Sequence, residues 1–509
     1  MVVRHLVLCA GLFVSASLFG QARNYNVLFG SNYWLNLYNE VATVIPCTWS
    51  ITKRSASISE PDGALSLVVD ETGIHNANFD LVQGGSAQDL GWPAELASLL
   101  ILPKPGATQH YAVFVNTTEA TKQAGHVEVD LNANGGAGAV VGAGTTWYMT
   151  GCTGKLAATL HANNTDYWLL QHADGSDAFQ AYLFNASGLA QTPVISNTGP
   201  VIGPTGILAK FSTDYHGDMR FSVMGDQLIM AYAHTPDTAA AALYWFDPAS
   251  GTVSLRTDAL LPATRVIDIF TGDTLLVRMR ADFVCGVDLE PSSNHAYMCL
   301  LDTTRSDSGY NKSVVIQYDL GFPDPEIARS ALGKDGSSAG LSPWGEDTTG
   351  NNLLFGADGK LYLRGLYTGG GSLLRLPELP ITLTGPTINW EYIYMGNSNF
   401  GTWGLPLFCK RYHDSDPAWL GLREEDGRDP AFRAVPNPIG AQGALVWGNS
   451  PPPDRLVWRD AMGRVVRSEP ALNDGPTTVL VRKELPAGLY ALEVFRKGRP
   501  LGSTRVIIE

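Results

Sequence analysis

The chain has 509 residues, too many for one ordinary core, so two or more domains are expected. A hydrophobic fraction of 45% with 17% charged residues excludes disorder, and 54 Gly, 30 Pro, 12 Trp, 19 Tyr and 18 Phe favour short strands and tight turns over long helices. The net charge of −14 argues against nucleic acid as a partner, because phosphate backbones are held by clustered Lys and Arg.

The chain begins Met1-Val-Val-Arg4-His5, continues as an apolar run Leu6–Phe19, and then reads Gly20-Gln21-Ala22. A basic start, a short apolar core and small residues at the −3 and −1 positions make residues 1–22 a signal peptide, cleaved after Ala22. The alternative, a membrane anchor, is disfavoured because the run falls short of the ~20 residues that span a bilayer. Leu8 stands where a lipidation site before Cys9 needs a small residue, which argues against a lipid anchor. No later apolar stretch is long enough to cross, so the mature chain is expected to carry no transmembrane segment. Cleavage leaves Cys47, Cys152, Cys285, Cys299 and Cys409, an odd count, with only Cys285 and Cys299 close enough in sequence to staple one hairpin. No CxxC pair exists to support a zinc or redox motif.

Residues 23–412 carry strand-sized runs bounded by turn chemistry. They include Leu65–Val69, His110–Val115, Tyr167–Gln171, Gln180–Phe184, Gln227–Ala233, Ala242–Phe246, Thr274–Met279, Val314–Tyr318 and Lys360–Arg364. Asp247-Pro248-Ala249-Ser250-Gly251 is a turn before Thr252-Val253. Amphipathic helix patterns are scarce, which excludes Rossmann and TIM organisations for most of the chain. An all-β segment of this length must hide its sheet edges, and radial repetition of four-stranded blades does so. At roughly 45 to 50 residues per blade the body is a β-propeller-like domain of seven blades, with eight, or a large double-sheet sandwich, as alternatives.

Residues 413–433 form a charged linker rich in Gly and Pro. From 430 to 509 the chain holds 11 Lys+Arg against 7 Asp+Glu, a net +4, while the remainder is net −18. The tail, residues 434–509, alternates through 444–447, 455–459, 464–466, 478–481, 489–494 and 503–508. Six or seven short strands in this length predict a small immunoglobulin-like β-sandwich, without the Cys…Trp…Cys signature.

Three ordered motifs mark the tail: Val435-Pro436-Asn437-Pro438, then Asp460-Ala-Met-Gly463-Arg464-Val465-Val466, then Leu485-Pro486-Ala487-Gly488-Leu489-Tyr490. With them the tail resembles the type A C-terminal sorting domain of the type IX secretion system. That resemblance implies export to the outer-membrane surface or beyond through the periplasm, with the secretion machinery and its sortase as partners and cleavage in the linker. The final Val506-Ile-Ile-Glu509 departs from the basic residue with which the family commonly ends. The motifs also have a structural reading: Pro436 and Pro438 fix extended backbone, Gly463 and Gly488 permit turns, and Tyr490 can pack in the sandwich. The body is similar to the propeller-like domains found upstream of such tags. The similarity rests on Leu28-Phe29-Gly30, Leu102-Pro103-Lys104-Pro105-Gly106, Lys155–His161, Asp166-Tyr167-Trp168 with His172, Ile316–Leu320, Gly356–Tyr362 and Gly404–Phe408.

Chemical motifs are weak. Gly336-Ser337-Ser338-Ala339-Gly340 fits GxSxG but lacks a strand before and a helix after, so a loop is expected. Gly135-Gly-Ala-Gly138-Ala-Val-Val-Gly142 mimics a nucleotide-binding pattern without the following helix, which predicts a turn between strands. No HExxH or EF-hand pattern occurs, so no cofactor is expected, and nothing supports structural calcium. The candidate binding cluster is His161, Tyr167, Trp168 and His172, since aromatic faces stack on sugar rings and imidazoles hydrogen-bond them. The competing reading is that the aromatics fill space between blades. The sequence thus points to a non-enzymatic secreted or surface protein that binds a glycan or a surface protein. A polysaccharide hydrolase and a structural or adhesive component are the alternatives.

Overall fold

The structure is a computed structural model. It describes residues 23–28, 31–37, 42–50, 54–118, 120–202, 218–235, 238–256, 266–268, 274–275, 284–290, 295–302, 312–320, 328–331, 353–357, 359–367, 370–376, 391–394 and 407–409 of the body. In the tail it describes 432–435, 439–440, 442–446, 452–459, 465–471, 473–474, 477–483, 485–496 and 499–508. The segment expected to be a signal peptide, the Gly336–Gly340 run, most of the expected linker, Pro436, Asn437, Pro438, Asp460, Gly463 and Arg464 lie outside the described residues.

The chain divides into two compact units, Met1–Ser415 and Asp416–Glu509. The first is all-β and propeller-like. Its strands run as successive antiparallel meanders, for example Cys152–Leu160, Tyr167–Ala173 and Ser176–Asn185, or Met219–Phe221, Gln227–Thr235, Thr238–Phe246 and Val253–Leu255. One parallel bridge, Ala139 to Gln83, joins the second and third meanders. The strand that opens each meander touches the opening strand of the next. The order is Asn26–Leu28, Ala56–Ser59, Leu96–Pro103, Cys152–Leu160, Met219–Phe221, Val284–Leu289 and Leu353–Phe355. The ring closes on itself. Leu354, Tyr362 and Phe408 pack with Val27, Leu35 and Leu37, and Asn24 Nδ2 donates to the Cys409 carbonyl at 2.9 Å.

Strand alternation explains how the sheets stack face to face. Leu96–Pro103 reads as an unbroken apolar run because both of its faces are covered. Leu99 and Ile101 pack toward the second meander with Val113 and Val115, whereas Leu100 and Leu102 pack toward the fourth with Phe114, Leu169 and Phe184. Period-2 alternation thereby serves two cores at once.

Eight of the nine body runs read from the sequence fall on strands, and of the run 274–279 only Thr274–Leu275, also a strand, is described. Thr43–Ser50, Ala139–Thr150 and Val194–Ile202 escaped the reading. Ala139–Thr150 pairs through two register irregularities, and such breaks hide the period. Only the first part of the Gly135–Gly142 pattern is the turn expected, around a 3-10 turn at Asn134–Gly136; its residues 139–142 already belong to the strand Ala139–Thr150. Cys47 and Cys152 are free thiols, while Gly286, next to Cys285, lies opposite Cys299 on the paired strand.

The second unit is a sandwich of two four-stranded sheets. One contains Arg433–Val435, Gln442–Val446, Thr477–Val481 and Asn473–Asp474; the other contains Val465–Pro470, Arg455–Arg459, Gly488–Arg496 and Arg499–Ile508. Leu445 and Leu480 of the first meet Trp458, Leu492, Val494 and Val506 of the second in one core. Trp458 is fully buried, donates through Nε1 to Glu469 at 3.0 Å and carries Arg467 over its ring at 4.4 Å. Of the third sequence motif, Gly488 opens a strand and Tyr490 enters the core, its hydroxyl donating to the Pro486 carbonyl at 2.8 Å.

Candidate functional site

The four residues singled out in the sequence do not form one cluster. Tyr167 and Trp168 are neighbours on the strand Tyr167–Ala173, so their side chains leave opposite faces of the sheet. Tyr167 packs with Phe184 at 6.4 Å, and Trp168 packs with Phe246 at 6.4 Å in a different core. His172 sits near the far end of the same strand, fully buried and edge-on to Phe179 at 4.7 Å. Only His161 stays beside Trp168, with rings 5.7 Å apart and its Nδ1 accepting from the Asn163 amide.

Trp168 shows why an aromatic in a β sequence is ambiguous. The indole Nε1 donates to the Pro248 carbonyl at 2.9 Å, and the ring lies against Gly251, where an added Cβ would stand 2.8 Å from it. Gly251 has φ of 75°, so the turn Asp247–Gly251 both needs glycine and brings its backbone flat onto the indole. Asp247 fixes that turn by accepting from the Ala249 amide and the Ser250 hydroxyl. With 5% exposure, Trp168 offers no open face for a sugar ring. Burial, with the charge of Lys155 adding to it, pulls the His172 pKa down to about 3, so the ring is neutral at physiological pH.

A different set of residues converges on the inner strands. Arg54, Lys155, Asp218, Arg220 and Asp288 are all buried, on or beside the opening strands of four different meanders. Asp218 lies at the centre of the set. Its Oδ2 accepts from the Val287 amide at 3.3 Å and stands 3.8 Å from Arg220 Nη2, and it interacts electrostatically with Arg54 and Lys155. Lys155 Nζ donates to the Ala231 carbonyl at 2.8 Å, and Asp288 accepts from the Leu289 and Phe355 amides at 2.8 and 2.9 Å. Apart from the local bond between Asp288 and Leu289, these bonds run from one meander to the next, so the charges also tie the ring together.

Burial dominates the electrostatics. It lowers Arg54 to about 10, with Asp218 opposing and the like charge of Arg220 adding to the fall. It also lowers Arg220 against the pull of Asp218, and it raises Asp218 despite both arginines. Charges are kept in a dry place only with partners, so this set is the least ordinary chemistry in the body. Sequence reasoning passed over it because Asp218, Arg220 and Ser222 alternate with Met219 and Phe221 like the wet side of an ordinary strand. The signal that could have found it is charge inside the opening strand of a repeat. Among the described residues no three His, Cys, Asp or Glu side chains converge as metal ligands.

No protein-family model and no curated protein sequence matches the chain. Among solved structures it is similar to a 6-phosphogluconolactonase-like protein of Bacteroides uniformis, at 12% identity over 74% of this chain and 98% of that one, TM-score 0.40. It is also similar to the β-propeller domain of the trilobed protease of Pyrococcus furiosus, at 5% identity over 80% and 97%, TM-score 0.28. A quinoprotein alcohol dehydrogenase-like protein of Bacteroides thetaiotaomicron matches at 13% identity over 60% and 64%, TM-score 0.32.

Proposed function

We propose that the chain is an exported binding protein: a seven-bladed propeller-like body that takes a glycan or a surface protein, followed by an immunoglobulin-like sandwich that directs it through type IX secretion. The observation that carries the binding role is the buried charge on the inner strands. A body that needed only to be stable would gain from apolar residues at Arg54, Lys155 and Arg220, because buried ions give back little of their desolvation cost. Support for seven blades is the unbroken order of contacts between opening strands and the closure of the last meander on the first. Support for the sorting role is the motif order in the tail and the fold of its third motif around Tyr490.

The binding role is tested by thermal shift of the mature protein against a panel of polysaccharides, since a ligand that binds only the folded state raises its melting temperature. A reproducible shift with one glycan class supports the reading. No shift with any of them moves the weight to a protein partner or an adhesive role. Release of new reducing ends would instead assign a hydrolase. The sorting role is tested by deleting Val435–Glu509, which should strand the body in the periplasm; surface delivery of that truncation would overturn it.

A further inference from the structure

We propose that Cys285 and Cys299 are joined by a disulfide across the hairpin that opens the sixth meander, so that the inner strand of that meander is pinned covalently to its neighbour. The pairing goes beyond the binding and sorting roles and depends on neither.

The strand Val284–Leu289 pairs antiparallel with His295–Asp302. Leu289 pairs with Ala296, Asp288 with Tyr297, Val287 with Met298 and Gly286 with Cys299; the register then shifts, and Val284 pairs with Leu300. Cys285 is the extra residue of this irregularity, set beside the backbone of Cys299 and Leu300. Opposed Cα atoms of an antiparallel pair stand about 4.5–5.5 Å apart, within the roughly 4.4–6.8 Å that a disulfide bridges. In an unbroken strand Cys285 would oppose Leu300 and alternate to the other face from Cys299. The bulge removes that strict alternation, because two residues of one strand then oppose one of the other.

The other cysteines are placed elsewhere in the body. Cys47 lies in Thr43–Ser50 of the first meander, Cys152 packs with Ala124 and Met149, and Cys409 packs in the cluster of Leu407 and Phe184. Burial pushes the Cys152 thiol up to about 12 and also raises Cys47, and a protonated thiol is a poor nucleophile in exchange. The strand that the bond would pin also holds two meanders to this one. The Val287 amide donates to Asp218 at 3.3 Å, and Asp288 accepts from the Phe355 amide at 2.9 Å.

With glutathione disulfide as oxidant, one cysteine thiolate attacks it and releases a glutathione thiolate. The second cysteine then attacks the mixed disulfide and releases the other, so two electrons and two protons pass from the cysteines to two glutathione thiols.

The test starts from the purified mature protein, reduced, freed of reductant and incubated with glutathione disulfide. Remaining thiols are alkylated under denaturing conditions, counted by mass, and the linked peptides mapped. Three of the five cysteines should be alkylated, with one linked pair, Cys285 and Cys299. Cys285→Ser and Cys299→Ser should each leave four alkylated and no linked pair. Reduction should lower the melting temperature of wild type by a few degrees and leave both variants unmoved. Five alkylated cysteines after oxidation, glutathione retained on Cys285 or Cys299 without closure, or a linkage that maps to another pair or to two chains would overturn the proposal. The oxidant is supplied in the tube, so the pairing and the export reading stand or fall separately.

Discussion

The two units bury their sheets in different ways. The tail closes two sheets on one apolar core, and its described residues bury no charged side chain; Glu469, Arg467 and Lys483 form their network outside that core. The body spreads its core over several clusters between successive meanders and buries Arg54, Asp70, Lys155, Asp218, Arg220 and Asp288 among them. A single apolar core is the simpler way to be stable, so the buried charge in the body is the feature on which the binding proposal rests.

The sharpest way to break this contrast is at Trp458. Truncation to Ala empties the centre of the tail's only described core and should cost about 3–5 kcal/mol, enough to unfold the tail. Calorimetry should then show one transition lost and the body's transition unmoved. A smaller loss confined to local packing would mean that the tail is less dependent on one core than this comparison holds.

At His172 the body should respond to acid. The ring titrates near 6.5 in the unfolded chain and is held at about 3 in the folded body, so the unfolded state binds the extra proton between those values. Its share of stability is full above pH 6.5 and is lost as pH falls toward 3, on the order of 5 kcal/mol in all. His172→Phe should flatten the denaturant midpoint across this window relative to wild type. An unchanged slope would assign the acid sensitivity to other groups.

Gly251→Ala presses a Cβ into the Trp168 indole at a positive φ, and a destabilisation of about 2 kcal/mol is expected in urea unfolding. Little change would show that Trp168 can move, and so could open toward a ligand after all. The smallest effect is expected at the ring closure. Asn24→Ala removes the hydrogen bond to the Cys409 carbonyl and should cost about 1 kcal/mol, with faster amide exchange in 407–409 as the local readout.

Much of the fold was legible because alternation survives inside each strand. Arg455–Arg459 was read to the residue, and His110–Thr117 and Gln227–Thr235 to within two residues at either end. The candidate site was legible only in part. His161 and Trp168 do meet, yet Tyr167 leaves the other face of the sheet and His172 lies farther along it, because sequence proximity within a strand separates side chains rather than gathering them.

The sequence by itself determined that the chain is β-rich, where its turns fall, and that a basic tail follows an acidic body. Those properties reside in local propensity, periodicity and charge count, each of which needs only near neighbours along the chain. Tertiary structure decided that Trp168 is packing, and it gathered Arg54, Lys155, Asp218, Arg220 and Asp288, residues spread over more than 200 positions of sequence. The physical reason is the ring: burial on both faces, and the meeting of inner strands from distant meanders, exist only once every sheet has found its neighbour.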